Sequence, residues 1–306
     1  MRRVLAIVFV LVLVPTTAAF GADLGELLDE SRDASYTAEQ VISCSTPDGV
    51  RDAVVEISQS GGELHVAAPS DPDVEVASGY GGWALVREGS VVSSANVRGT
   101  NDEPEVRYTV DEGEATEYLG RAAITFQMIG DGVLRAELTV DSEIGALLRV
   151  ATFTEDGGIY CERRFIEFEP LPSAEIQSNT TSEVEPSMEA VESDLPERLD
   201  VFERLDVYED DKGFVFAYYS DGFFSFAVFE TPAIVALESG SAAVFAEKAY
   251  ARSFSPGQVA FSWETRSGGM ALVGDLPPDM HQAVLDGLPD PQDPGLFRRL
   301  WRNLFG

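Results

Sequence analysis

Two histidines, two cysteines and 53 Asp and Glu residues are the side chains from which any chemistry in this chain would be drawn. His65 lies in Glu63-Leu64-His65-Val66 and His281 in Pro278-Asp279-Met280-His281. Neither belongs to an H-E-x-x-H pair, and the sequence has no Gly-x-Ser-x-Gly elbow and no glycine-rich phosphate loop. A catalytic triad can draw its members from distant positions, so a hydrolase built on His65 or His281 is a competing reading. The plainer reading makes one a strand residue and the other a helix residue. Zinc needs three or four ligands, and a bond between Cys44 and Cys161 would consume both thiols. With so many carboxylates, acid–base pairs arise by accident of spacing and say nothing about glycoside hydrolysis. Glu209-Asp210-Asp211 lacks the spacing of a calcium loop and reads as a solvated acidic turn. No catalytic residue, metal or cofactor is assigned on these grounds.

The elements that would position these side chains are mostly strands. Asp23 to Ala34 has Leu24, Leu27 and Leu28 on one side and reads as a short amphipathic helix. Short β-prone runs follow at Val41–Cys44, Ala53–Ser58, Glu63–Ala67, Tyr80–Val86, Ser90–Val97 and Val106–Val110. The clearest block is Ala122–Ile129, Val133–Val140, Ala146–Thr154 and Ile159–Phe168, punctuated by Gly130-Asp131-Gly132, Ser142–Gly145 and Asp156-Gly157-Gly158. Strands this close, joined by tight turns, form an antiparallel meander and not a βαβ sheet. Further on, Leu205–Glu209, Gly213–Tyr219, Phe223–Phe229, Ala243–Arg252, Val259–Glu264 and Met270–Val273 read as strands, and Pro277–Leu288 as a helix opening on proline. Phe223–Phe229 is apolar on both faces, so it is covered on both sides or exposes a binding patch.

Charge and length bound the rest. There are 53 acidic and 21 Lys and Arg residues, a formal charge of −32, and such a chain repels the phosphates of nucleic acid. A hydrophobic fraction of 44% keeps it globular despite that charge, and 306 residues suggest two domains. Arg2 and Arg3, the apolar run Val4–Val14 and the small residues after Pro15 read as a secretory signal peptide over residues 1–22, cut after Ala19 or Ala22. An uncleaved anchor is the alternative. Two arginines leave with the signal, taking the charge from −32 to −34. Export to the periplasm or the outer face of the envelope favours a Cys44–Cys161 disulfide, with two buried free thiols as the other reading. Residues 23–172 form the first domain and 195–290 the second. Between them, 173–194 carries six acids and no basic residue and reads as a solvated linker. Its Asn179-Thr180-Thr181 sequon carries little weight.

Residues 291–306 reverse the sign. After a proline-rich spacer, the last twelve residues hold three arginines and no acid. Leu296, Phe297, Leu300, Trp301 and Leu304 fall on one side of a helix, while Arg298, Arg299 and Arg302 fall elsewhere. This is the pattern of a helix that lies on a membrane or in a partner's groove. The plainer reading docks this helix on its own domain, its arginines pairing with the acidic surface.

Several segments together resemble a known family. Asp131-Gly132-x-Leu134-Arg135-Ala136 is followed by Val140-Asp141-x-x-x-Gly145-x-Leu147-Leu148-Arg149 and Phe168. Tyr219-Ser220-Asp221-Gly222-Phe223-Phe224-Ser225-Phe226-Ala227-Val228-Phe229 and Met270-Ala271-Leu272-Val273-Gly274-Asp275-Leu276-Pro277-Pro278 come later, in the same order. Over roughly Leu24 to Leu288 the chain resembles the MucB/RseB sigma-factor regulatory proteins, with a first domain like the LolA-type lipoprotein carriers. The resemblance implies an α+β fold. An N-terminal curved antiparallel half-barrel with helices would be followed by a smaller C-terminal antiparallel sheet with a helix. It also implies a cavity for a lipid or lipoprotein acyl chain, a membrane-anchored anti-sigma factor as partner, and no enzymatic activity. A lipid or lipoprotein carrier without a signalling role is the alternative. The acidic linker and the arginine-rich tail lie outside the matched motifs.

Overall fold

The computed structural model describes residues 24, 27, 34–60, 63–68, 71–79, 82–87, 90–95, 107–171, 188–191, 193–210, 214–237 and 240–292. The segment read as a signal peptide, most of the acidic stretch and the tail lie outside the described residues.

The first sheet is built from β1 (Tyr36–Thr46), β2 (Gly49–Ser60), β3 (Glu63–Ala68), β4 (Asp71–Gly79), β5 (Gly82–Arg87), β6 (Ser90–Ala95), β7 (Tyr108–Tyr118), β8 (Arg121–Gly130), β9 (Val133–Asp141), β10 (Leu147–Phe153) and β11 (Ile159–Pro170). Their order is β6-β5-β4-β3-β2-β1-β11-β10-β9-β8-β7. Two meanders therefore meet where β1 pairs with β11, in an open sheet that agrees with the expected half-barrel. Its turns carry their own chemistry. Asp131 and Gly132 both take positive φ (52° and 80°), the arrangement that matches strand twist in a two-residue hairpin. Asp141 accepts the N–H groups of Glu143 and Ile144 at 2.9 and 3.0 Å and so closes the β9–β10 turn.

The second, smaller sheet holds β12 (Met188–Ala190), β13 (Arg198–Leu199), β14 (Phe202–Asp210), β15 (Val215–Ser220), β16 (Ser225–Thr231), β17 (Ser241–Phe245), β18 (Lys248–Ser255), β19 (Gln258–Glu264) and β20 (Gly269–Asp275). The order β12-β14-β15-β16-β20-β19-β18-β17 places β20 beside β16. The connection from β16 to β17 therefore crosses the sheet. Ser262 Oγ donates to Val235 O at 2.7 Å, and a Cβ on Gly269 would lie 2.4 Å from Ala233 O, so that crossing requires glycine. A 3-10 turn at Pro278–Met280 leads into the helix His281–Asp286, which closes the core.

Five departures from the sequence reading have physical reasons. Residues 71–79, which open on Asp-Pro-Asp, are not among the expected strands, yet β3 and β5 pair with β4 on both sides. β7 runs on through Asp111, Glu112, Glu114 and Glu117 because it is an edge strand, where charge guards against further pairing. Ala243–Arg252 is not one strand: Ala246 and Glu247, at φ 46° and 67°, turn it into a hairpin without glycine or asparagine. Phe223 and Phe224 belong to the β15–β16 turn and not to the strand. Residues 188–190, within the stretch read as linker, pair with β14.

Apolar packing joins the sheets. Phe126, Met128, Leu138 and Val150 of the first sheet share one core cluster with Phe202, Phe226, Phe261 and Leu272 of the second, and helical Leu24 belongs to it. Phe223–Val228 is buried throughout, which matches the expected covering of both faces.

Candidate functional site

Cross-strand register assigns the faces of the first sheet. One row runs Val110, Met128, Ala136, Thr152, Cys161, Cys44, and the next runs Phe126, Leu138, Val150, Arg163, Ile42, Ala53. Both rows point inward, since side chains alternate along a strand and paired residues share a face. The β7–β10 half of this face packs on the second sheet. The β11-β1-β2-β3 half forms its own cluster, including Ile42, Val55, Ile57, Val66 and Phe165. Tyr36, Phe165 and Phe168 form a ring set there, with centroids 5.1 to 6.0 Å apart. Tyr36 keeps its hydroxyl paired by donating to Gln59 Oε1 at 2.9 Å. The Tyr36, Phe165 and Phe168 end of this face is apolar.

Polar ties hold the seam between the sheets. Tyr108 donates its hydroxyl to Asp221 Oδ2 at 2.5 Å, and Asp221 Oδ1 accepts the N–H groups of Phe223 and Phe224. Burial pushes the Asp221 carboxyl above its ordinary value, with the Tyr108 hydrogen bond opposing the shift. Burial, with Asp221 alongside, pushes the Tyr108 phenol far up. Arg135 donates to Asp279 Oδ2 at 2.8 Å and stacks over the Phe224 ring at 5.7 Å. Arg163 donates to Asp275 Oδ2 at 2.9 Å and to Gly257 O at 3.2 Å. Burial raises the Asp275 carboxyl too, and Arg163 opposes it.

The third of these ties sits on the disulfide. Cys44 and Cys161 are register partners on β1 and β11 and are bonded to each other, which settles the two open readings in favour of the bridge. Gly257 and Pro256 turn β18 into β19, and the Gly257 N–H donates to Cys44 Sγ at 3.0 Å. Gly257 stands at φ +79°, and a Cβ there would lie 3.4 Å from Ile42 and 3.3 Å from the Arg163 guanidinium. Position and backbone both favour glycine.

The other candidates are dispersed. His281 is buried, its Nε2 lies 2.9 Å from Leu276 O, and it packs edge-on against Phe261. Burial pushes its pKa down to about 4, so it stays neutral. His65 stands on β3 opposite Ser58 and Ala77. His65 is on the first sheet and His281 is in the helix that follows β20. Among the described residues no group of His, Cys, Asp and Glu could hold a metal, and no helix is long and apolar enough to cross a membrane. Leu296, Phe297, Arg298, Arg299, Leu300, Trp301, Arg302 and Leu304 lie outside the described residues. Sequence reasoning did not single out the seam. Arg135, Asp221 and Asp275 stood inside quoted motifs as strand and turn markers, and nothing local marks Arg163 or Tyr108 as their partners.

No family model matches this chain, and no curated protein matches it. Solved structures do. A chain of the Pseudomonas aeruginosa MucA/MucB complex is 19% identical, with a TM-score of 0.54 over 89% of this chain and 100% of that chain. The crystal structure of MucB is 16% identical, with a TM-score of 0.54 over 87% and 97%. MucB in complex with MucA(peri) is 18% identical, with a TM-score of 0.51 over 88% and 98%. The chain has the MucB-type fold across both sheets.

Proposed function

We propose that this chain is an exported binding protein of the cell envelope that holds a membrane-anchored anti-sigma factor and responds to a lipid or lipoprotein acyl chain. The observation that carries this reading is the two-sheet likeness to MucB in structures that contain MucA. The partner class comes from the family resemblance in the sequence. The acyl chain is placed on the apolar half-face of β11, β1, β2 and β3, where Tyr36, Phe165 and Phe168 gather. The two domains, 23–172 and 195–290, divide the work: the first takes the ligand, and the seam passes its effect to the second.

The tail supplies a local membrane contact in this reading. Among the described residues the exposed large apolar side chains are Val50, Val54, Leu119, Ile159, Ile234 and Val244, spread over five separate elements. They offer no continuous seat for Leu296, Phe297, Leu300, Trp301 and Leu304, which favours an external apolar surface. Arg298, Arg299 and Arg302 suit an anionic one.

The test is co-purification of the full chain from detergent-solubilised envelopes, with mass spectrometry of the bound lipid and protein. The expected result is an amphiphile released by organic extraction together with one membrane-anchored partner. Recovery of neither would overturn the reading. An amphiphile exchanged between vesicles with no retained partner would replace it with a carrier.

A further inference from the structure

Cys44 and Cys161 are 3% and 2% exposed, and the atom seated against Cys44 Sγ belongs to the other sheet. The Pro256-Gly257 turn lies on the bond, held by the Gly257 N–H on sulfur and by Arg163 on the Gly257 carbonyl. Arg163 is tied in turn to Asp275, whose side chain is fully buried. The cover over the disulfide is therefore also a clasp of the seam, and the two cannot move independently.

We infer that Cys44–Cys161 is a thiol–disulfide exchange site gated by the seam between the two sheets. With the turn docked, a reductant has no path to either sulfur. When the turn lifts, the thiolate of a dithiol reductant attacks one sulfur and forms a mixed disulfide, and the other cysteine leaves as a thiolate. The second thiol of the reductant then closes its own ring and releases the second cysteine. Two electrons pass from the dithiol to the bond, and its two protons end on the cysteines. Linkage makes the coupling reciprocal at equilibrium: whatever opens the seam favours the reduced pair, and reduction favours the open seam. This inference stands without the proposed ligand or partner, because it concerns only the chain's own closed and open seam.

The test measures the reduction rate of the full chain by dithiothreitol, with alkylation of freed thiols and mass spectrometry. Gly257→Val adds a β-branched side chain at φ +79°, against Ile42 and Arg163. Its disulfide should be reduced at least tenfold faster than wild type, with unchanged far-UV circular dichroism. As a control that does not depend on this variant folding, wild-type reduction is followed across sub-denaturing urea. A rate less steep in urea than global unfolding marks the local opening. In the reduced wild type, amide exchange at Gly257 should rise while exchange in β8 and β9 stays slow. Reduction that tracks global unfolding in urea, or an unchanged rate in a folded Gly257→Val protein, would overturn the inference.

Discussion

Tyr108→Phe removes one hydroxyl from the seam and leaves a carboxylate that is 3% exposed with one donor fewer. A hydrogen bond to a charged group contributes about 1.5–3 kcal/mol, so the expected loss at pH 7.5 is about 2 kcal/mol. Asp221 retains the N–H groups of Phe223 and Phe224, which keeps the loss from growing to that of a bare buried charge. The cost should depend on pH. Burial raises the folded Asp221 carboxyl above its unfolded value of 3.8, so its contribution is whole below that pH and declines as pH rises through the folded value. Tyr108 restrains the rise, so the variant's carboxyl titrates higher still and loses more on the way up. The Tyr108→Phe penalty should therefore shrink to about 1 kcal/mol near pH 4, where a neutral acceptor is all that is lost. Urea unfolding at pH 4, 6 and 7.5, read by fluorescence, measures it. The same substitution in an Asp221→Asn background should cost about 1 kcal/mol at every pH. A loss below about 0.5 kcal/mol at pH 7.5, or one independent of pH, would refute this account of the seam.

Three further outcomes are expected. The bridge closes 117 residues, so oxidised and reduced protein should differ by about 5 kcal/mol in urea unfolding on the chain-entropy model. Replacing Ala246 with Asn and Glu247 with Gly should add about 1–2 kcal/mol, read as a higher melting temperature, because two side chains leave left-handed conformations. Burial alone would raise Asp141, but Arg121 and the N–H groups of Glu143 and Ile144 outweigh it and hold the carboxyl low. Its contribution is present above pH 3.8 and lost as pH falls through the lower folded value. Asp141→Asn should then cost about 3 kcal/mol at pH 7 and flatten the acid limb of stability against pH.

The strand pattern of this chain was legible wherever a turn announced itself. Asp131-Gly132 and Asp156-Gly157 punctuate the sheet, and the strands they join stand within a few residues of their expected bounds. Illegible were the places where tertiary contact overrides composition. β4 and the acidic part of β7 hold their conformation through neighbours that local propensity does not count. Ala246 and Glu247 turn the chain without a turn residue, held by the β17–β18 ladder on either side. The seam is the extreme case. Tyr108 and Asp221 are 113 positions apart, Arg163 and Asp275 are 112, and each looks locally like one more polar residue in a charged chain. The apolar half-face was not legible in the sequence, because which strands joined to make it depended on β1 finding β11.

That pairing also sets an order of events as the chain emerges. β1 can pair with β2 at once, but its other edge waits for β11, and its apolar face, with Ile42 beside Val55, waits with it. Closing so long a loop is slow, and unpaired edges are where nascent chains stick to one another. Cys44 spends the same interval without a mate. Because Cys161 is its sole possible partner within the chain, any disulfide formed earlier joins it to another molecule. The yield of folded protein should therefore depend on how soon a thiol oxidant reaches the chain relative to the arrival of residue 161.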